Sequence, residues 1–365
     1  MEDLQRGCFF HRCRDVGYPC ARNKGFGVDH CPVAGSWSVT LEQLRDEISD
    51  EVSTILASDF SIEVRNTGTV PHSSDSAITF PNLDAKKQAT KLIDTCVLYI
   101  DIRRSTVLNL THKPQIVAKL YSAFVRAMTR CARHHQGHVR GIIGDRVMVL
   151  FDQQDAFKNA VECAYSMNTV SQHIINKHFR QNEVECGIGI DAGKMLVTKT
   201  GVRKKGVDQA SYRNLVWLGR PANVASKLTD LANKPEESIT FPMVSAGFRS
   251  NPIANSLLSI GAPPWEWREI FPHEFVQQLS VDNFSHRLMH SNPNFQSMIV
   301  SNKTIVTTPK TGPILMTEKV WSGYKEAMPN TNAVTGAYFT EIKLSVPGYQ
   351  GKIFSGDVIY PALKR

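Results

Sequence analysis

Two aspartates fall where strand ends could bring carboxylates together. Asp101 closes an apolar run in LYIDIRRST, and Asp145 sits in RGIIGDRVMVLF, at the tip of what reads as a hairpin. Convergent carboxylates bind hard divalent cations, which prefer oxygen ligands. Two such cations about 3.5–4 Å apart can activate an attacking oxygen and clamp a triphosphate. The backbone amides from Arg103 through Arg104 and Ser105 to Thr106 follow Asp101 directly and lead into a helix. That is a plausible phosphate cradle, and Arg103 and Arg104 add positive charge. Taken singly, either aspartate reads as a turn or cap residue, because Asp favours turns and Gly-Asp is a common hairpin tip. The pairing at matched ends of adjacent strands makes them a candidate site.

The elements that must place these residues follow from periodicity. CVLYI (96–100) is a short, wholly apolar run and reads as a buried strand. From Pro114 to His135 the stripe Ile116, Leu120, Phe124, Met128 predicts a long helix, with Gly137 just past its end. His138–Ile143 and Arg146–Phe151 read as strands joined at Gly144-Asp145. Ala156 to Phe179 reads as a second helix. Val184–Ile190 and Met195–Thr200 read as two strands around Ala192-Gly193, followed by a polar loop, a short strand Leu215–Leu218 and a third helix Ala222–Ala232. The order β-α-β-β-α-β predicts an α+β domain of the ferredoxin-like split βαβ type, an antiparallel sheet with helices on one face. Upstream, Thr40–Ser58 carries Leu41, Leu44, Ile48, Val52 and Ile55 at helical spacing, and 66–83 reads as a linker rich in Ser, Thr, Pro and Asn. Beyond about residue 236 the helical periodicity fades, and AYFTEIKLSV (337–346) and GKIFSGDVIY (351–360) alternate like paired strands. The divisions expected are 1–90 (Cys-rich segment, helix and linker), 91–236 (catalytic domain) and 237–365 (a mixed or β-rich domain).

Composition narrows the classes. A chain of 365 residues with 42% hydrophobic and 21% charged residues is neither disordered nor fibrous. Its apolar runs fall far short of the roughly 20 residues of a membrane helix, so no membrane association is expected. No secretory signal stands at the N-terminus. The net charge of +8 suits a polyanionic partner such as a nucleoside triphosphate, and nucleic acid is not expected. Cys96, Cys131, Cys163 and Cys186 lie in apolar settings where free thiols reside, so a cytoplasmic location is expected.

LYIDIRRST, RGIIGDRVMVLF, GIGIDAG (187–193) and LGRPANVASKL (218–228) resemble, in order and spacing, four motifs of the class III nucleotide cyclases. The resemblance covers roughly 92–235. It implies a metal site at Asp101, Ile102 and Asp145 for two divalent cations, manganese or magnesium. It implies a homodimer with shared active sites, in which Asn223 and Lys227 act on the nucleotide held by the partner. The 3′-hydroxyl then attacks the α-phosphate and pyrophosphate leaves. Nucleotide-binding roles are expected for Arg103, Arg104, Ser105, Thr106 and Arg140.

The departures from the family pattern carry information. The purine-reading positions are Gly141 and Val216, the transition-state Arg is Lys227, and a triphosphate-binding Arg before the fourth-strand motif is Gly187. Lys keeps the charge but not the bidentate fork. With the metal aspartates kept and the purine readers gone, the sequence is similar to the bacterial pyrimidine cyclases of antiphage defence. This implies cyclic UMP or cyclic CMP as a second messenger for a downstream cyclic-nucleotide-responsive effector. Arg140 can donate to uracil O4 or O2, which favours UTP over CTP. An adenylate cyclase and a silent nucleotide-binding regulator are the other readings. GKIFSGDVIYP resembles part of the sensor domains fused to defence cyclases. Arg203, Lys204 and Lys205 are candidates for the γ-phosphate. Cys8, Cys13, Cys20 and Cys31, with His11 and His30, are candidate ligands for a structural zinc, although they lack a CxxC knuckle. His134 and His135 at a helix end are expected to be solvated and favoured by the dipole.

Overall fold

The computed structural model describes residues 40–180, 184–201, 215–249 and 265–364. The N-terminal zinc candidates and Arg203–Lys205 lie outside the described residues. Two compact units divide the chain, 1–53 and 54–365. The elements, in chain order, are α1 (Leu41–Leu56), β1 (Ser61–Thr67), β2 (Lys87–Ile102), α2 (Ser105–Thr111), α3 (Pro114–His134), β3 (Gly137–Ile143), β4 (Arg146–Phe151), α4 (Ala156–Thr169), a π-helical turn (Val170–Ile175), α5 (Asn176–His178), β5 (Cys186–Lys199), β6 (Leu215–Leu218) and α6 (Arg220–Leu231). There follow β7 (Glu237–Phe248), β8 (Glu266–Ile270), α7 (Pro272–Gln277), β9 (Leu279–Val281), β10 (Leu288–His290), β11 (Phe295–Thr308), β12 (Ile314–Thr317), α8 (Glu318–Ala327), α9 (Asn332–Thr335), β13 (Phe339–Ile342) and β14 (Ile353–Gly356).

The second unit is built on a sheet in the order β13-β14-β12-β5-β2-β4-β3, with β1 paired to β2 and β6 to β5. The β2–β5, β2–β4 and β3–β4 pairs are antiparallel, whereas β1–β2 and β12–β5 are parallel. One sheet face buries Cys96, Leu98 and Ile100 against Phe124 and Met128 of α3, Ala160 and Ala164 of α4, and Trp321 and Tyr324 of α8. Along a strand, alternate residues point to opposite faces. Val97 of β2 and Met195 and Val197 of β5 therefore pack on the other side, with Ala222 and Ala225 of α6. Helices cover both faces, not the single face expected from the order of elements.

Two further expectations are corrected. The residues read as two strands around Ala192-Gly193 form one strand, β5, in which Gly193 pairs with Thr95 and the ladder runs unbroken from Cys186 to Val197. The apolar–polar balance dips at the glycine, but the partner strand carries the pairing through. The region after 236 does not form one separate block. β12, β13 and β14 extend the central sheet, with Ile314 opposite Ile188 and Ile353 opposite Ile342. The sheet is thus interrupted by 237–311, a ribbon of β7 and β11 whose far end carries β8 and a small core of Val244, Ala246, Phe248 and Phe275.

Candidate active site

Gly144 takes φ +62° at the β3–β4 turn, a conformation glycine adopts without steric cost. The turn lifts Asp145 beyond the end of the ladder, where Ile100 pairs with Val147. Asp101 lies one residue beyond that pair on β2. The Ile102 N–H donates to Asp145 Oδ2 at 3.2 Å. Burial and, after it, the neighbouring Asp101 carboxylate push the Asp145 carboxyl up to about 6, against the Ser105 hydroxyl, which favours its charged form. The two aspartates therefore share one edge with Ile102 and Ser105, at the ends of β2 and β4 and the start of α2.

A residue that the sequence reading passed over binds this edge together. Arg146 donates from Nε (3.1 Å) and Nη2 (2.7 Å) to Asp101 Oδ2. Its Nη1 donates to Ser226 Oγ at 2.8 Å, and its Nη2 also reaches Asp230 Oδ1. The signal available in the sequence was its place directly after Asp145, at the first position of β4. Ser226 and Asp230 are one turn apart on α6 and so lie on one helix face.

Arg103 turns away from solvent. Its Nη1 donates to the Asp230 carbonyl at 3.1 Å and its Nη2 to the Thr229 carbonyl. These carbonyls belong to the last turn of α6, where the helix dipole favours a cation. Its guanidinium fills the space over Gly187 that any side chain at 187 would need. Arg104 is exposed, with φ 55°, as the residue before α2. Ser105 and Thr106 form the first positions of that helix. Arg140 stands at an irregularity in the β3–β4 register, between Val139 and Gly141. A regular strand puts residues 140 and 141 on opposite faces, and this irregularity interrupts that alternation. Its Nε donates to the Pro71 carbonyl at 3.1 Å, and it is half-buried. Val216 pairs with Thr198 in β6.

The GIGIDAG strand is explained by α6. Gly187, Gly189, Asp191 and Gly193 all lie on the helix side of β5, and a Cβ at 189 would overlap the Ala225 carbonyl oxygen and the Thr229 nitrogen. Small residues let the helix approach closely. Asp191 is fully buried and accepts from the Thr317 hydroxyl at 2.8 Å, and Arg220, at the head of α6, is 3.5 Å from its other oxygen. On α6, Asn223 is exposed and Lys227 donates from Nζ to the Pro347 carbonyl at 2.8 Å. Neither side chain bonds to the aspartates of its own chain, Lys227 being turned instead to the Pro347 carbonyl. His135 differs from expectation: it is largely buried and shares a 2.7 Å hydrogen bond with Ser166, and burial, with the neighbouring His134 charge, lowers it to about 4.

Residues 87–242 match the adenylate and guanylate cyclase catalytic domain. A uridylate cyclase of Burkholderia cepacia is 32% identical over 178 residues, 47% of this chain and 72% of that protein. The chain belongs to the class III nucleotide cyclases. A cytidylate cyclase of Staphylococcus aureus is 29% identical over 140 residues, 35% of this chain and 33% of that protein. Among solved structures, the adenylyl cyclase CyaB of P. aeruginosa aligns at 14% identity and TM-score 0.41, over 73% of this chain and 95% of that one. The cyclase match spans β2 to the first half of β7, and so takes in both aspartates, Arg146 and all of α6. This cyclase is a nucleotide-cyclising enzyme of α+β fold, and among the described residues no helix is long and apolar enough to cross a membrane.

Proposed function

We propose that this cyclase converts UTP to 3′,5′-cyclic UMP and pyrophosphate. The observation that carries the reading is the placing of Asp101 and Asp145 at one sheet edge while Gly141 and Val216 offer a purine no side-chain donor or acceptor. The relatives named uridylate cyclase support the choice of base. The donor set suits divalent cations: two adjacent carboxylates, one of which holds its proton up to about 6 beside the other, are an arrangement a cation relieves. Asp101, Asp145 and the Ile102 carbonyl would hold two of them, manganese or magnesium, which when bound neutralise triphosphate charge and acidify the ribose hydroxyl.

In the reaction the 3′-oxygen forms a bond to the α-phosphorus as the bond from that phosphorus to the bridging β-phosphate oxygen breaks. The hydroxyl proton passes to solvent. Positioning supplies most of the rate in such transfers. Arg104, Ser105 and Thr106 cradle the phosphates. Arg103 reaches them only by leaving the carbonyls of α6, so Arg104 is the stronger candidate of the two. Asn223 orients the ribose and Lys227 meets the charge of the transition state, each from the partner chain of a homodimer. The product serves as a second messenger in antiphage defence, in the cytoplasm, read by a cyclic-nucleotide-responsive effector.

Cytidylate cyclase is the second reading. The observation in its favour is that the Arg140 guanidinium is engaged by the Pro71 carbonyl, which leaves backbone groups to read the base. Competition among equal ATP, GTP, CTP and UTP with manganese tests both. Cyclic UMP is the expected major product. Cyclic CMP overturns the Arg140 argument, and cyclic AMP or cyclic GMP overturns the pyrimidine reading. Mixing Asp101→Ala chains with Asn223→Ala chains tests the shared site: the hybrid dimer keeps one intact site and regains activity, and no recovery after demonstrated subunit exchange overturns it.

A further inference from the structure

The guanidinium of Arg146 makes more contacts than its place beside a metal site requires. Two of its nitrogens address a single oxygen of Asp101, and two address side chains of α6. Its side chain is 25% exposed and that of Asp101 17%, so the contact is partly screened from water. Both contacts to Asp101 fall on Oδ2, which leaves Oδ1 free of Arg146. Two donors set rigidly in one guanidinium fix the place of Oδ2 from two directions, as the single point charge of a lysine ammonium does not. Asp230 is held twice, by its carboxylate to Arg146 and by its backbone carbonyl to Arg103. The C-terminal half of α6 is therefore fastened to the strand edge that carries the aspartates, while the same helix presents Asn223 and Lys227.

We propose that Arg146 is a positioning residue that orients Asp101 for a divalent cation and fastens that carboxylate to α6 through Ser226 and Asp230. The proposal rests on the metal reading of Asp101 and Asp145. Groups that hold a ligating carboxylate in place commonly govern metal affinity by about 10–100-fold. The consequence is that residues of α6, which touch no cation, set how tightly the edge binds one. The helix that serves the partner's nucleotide thereby responds to the state of its own chain's aspartates.

Field and positioning predict opposite signs, which makes the proposal testable. Removing a positive charge beside a cation site relieves Coulomb repulsion and so, on the field alone, tightens cation binding. Removing a positioning group loosens it. The full-length chain is titrated with Mn²⁺ without nucleotide, and free Mn²⁺ is read by electron paramagnetic resonance. Arg146→Gln is expected to bind Mn²⁺ about tenfold or more weakly than the parent chain. Ser226→Ala changes no charge and is expected to weaken binding about threefold, the effect of one lost hydrogen bond. Asp230→Asn is expected to weaken binding in the parent chain and to add nothing in the Arg146→Gln background, because its effect passes through Arg146. Equal or tighter binding by Arg146→Gln, or an Asp230→Asn effect of the same size in both backgrounds, overturns the proposal. Thermal unfolding checks each variant, and if Arg146→Gln does not fold, unchanged binding by Ser226→Ala overturns it. Should the parent chain bind no Mn²⁺, the metal reading falls together with this one. Should it bind, and Arg146→Gln bind more tightly, this one falls alone.

Discussion

β2 and β5 on one hand, and β7 and β11 on the other, are long antiparallel pairs with opposite surroundings. β2 spans 16 residues and β5 14, and their middles are buried on both faces. β11 also spans 14 residues, yet from Met298 to Thr307 every residue is exposed. Both pairs are long ladders, unbroken in β2–β5 and shifted in register only near the two ends of β11. The difference lies in the layers. Helices α3, α4 and α8 cover one face of the first pair and α6 the other, while the ribbon gains a core only where β8 and α7 fold over its end. Hydrogen bonding makes a strand, and a covering layer makes it part of a core. The candidate site stands at the end of β2, a strand of the covered pair, and takes its second carboxylate from the adjoining β3–β4 turn.

The sharpest contrast is in chemistry. Asp101→Ala and Asp145→Ala are each expected to lower cyclisation at least about a thousandfold, since loss of a cation ligand removes charge neutralisation that water does not replace. Asp145 lies outside the apolar core, so its variant should melt close to the parent chain, whereas Asp101→Ala also releases Arg146 and should melt somewhat lower without unfolding. Product mass spectrometry and thermal unfolding measure the two effects. Normal turnover with manganese by either variant would place the chemistry elsewhere.

A second contrast concerns pH. His135 has a folded-state value of about 4, below its usual 6.5, because burial and the adjacent His134 disfavour its charge. Glu162, itself raised by burial, stands 4.0 Å from Nδ1. The unfolded chain thus binds the extra proton first. The stability contributed by neutral His135 is fully present above about pH 6.5 and is lost as pH falls through 4. A difference of two to three pH units corresponds to about 3 kcal/mol. Urea unfolding from pH 7.5 to 4 should show this loss in the parent chain and much less of it in His135→Gln. Equal slopes would mean that the site is more solvated than its 2.7 Å bond to Ser166 indicates.

Packing of α6 on β5 gives a smaller effect. Gly189→Ala puts a methyl group against backbone atoms of Ala225 and Thr229, which cannot move aside as a side-chain tip could. The expected cost is about 1–3 kcal/mol, read as a lower denaturation midpoint. Activity should fall too, because α6 carries Asn223, Lys227 and the partners of Arg146. A stable Gly189→Ala chain would show that the helix has room to lift.

The sequence made the covered half of this comparison legible, and physics explains why. A strand buried on both faces reads as a continuous apolar run, as CVLYI does. The stripe of α3 and the Gly144-Asp145 turn are local signals. The two aspartates could be paired because the β-α-β-β order makes β2 a neighbour of the β3–β4 hairpin, although two helices separate them in the chain. β12 could not be placed. ILMT is four residues long and lies far down the chain from β5, so only the sheet itself shows their parallel pairing. Arg146 was missed for a similar reason. Its partners sit on a helix whose position depends on glycines of another strand, and no local pattern encodes that approach. The ribbon lacked any strong period, because neither face of β11 is held against a core over most of its length.

The smallest effect belongs to the ribbon and tests what an exposed strand pair contributes to stability. Ile305 pairs with Ile239, and the two are 48% and 58% exposed. Thr keeps the β-branched shape that strands favour, so Ile305→Thr loses only apolar surface that already faces water. Its stability should stay within about 0.5 kcal/mol of the parent chain. Ile100→Thr makes the same chemical change at a fully buried position on β2 and leaves a hydroxyl among apolar side chains. Burying an uncompensated hydroxyl costs about 1–3 kcal/mol on mutational evidence, and the lost methyl contacts add to it. Guanidinium unfolding of both variants gives the ratio. If Ile305→Thr proved as costly as Ile100→Thr, a layer from outside this chain would have to cover the ribbon, and the distinction between the two strand pairs would hold only for the isolated monomer.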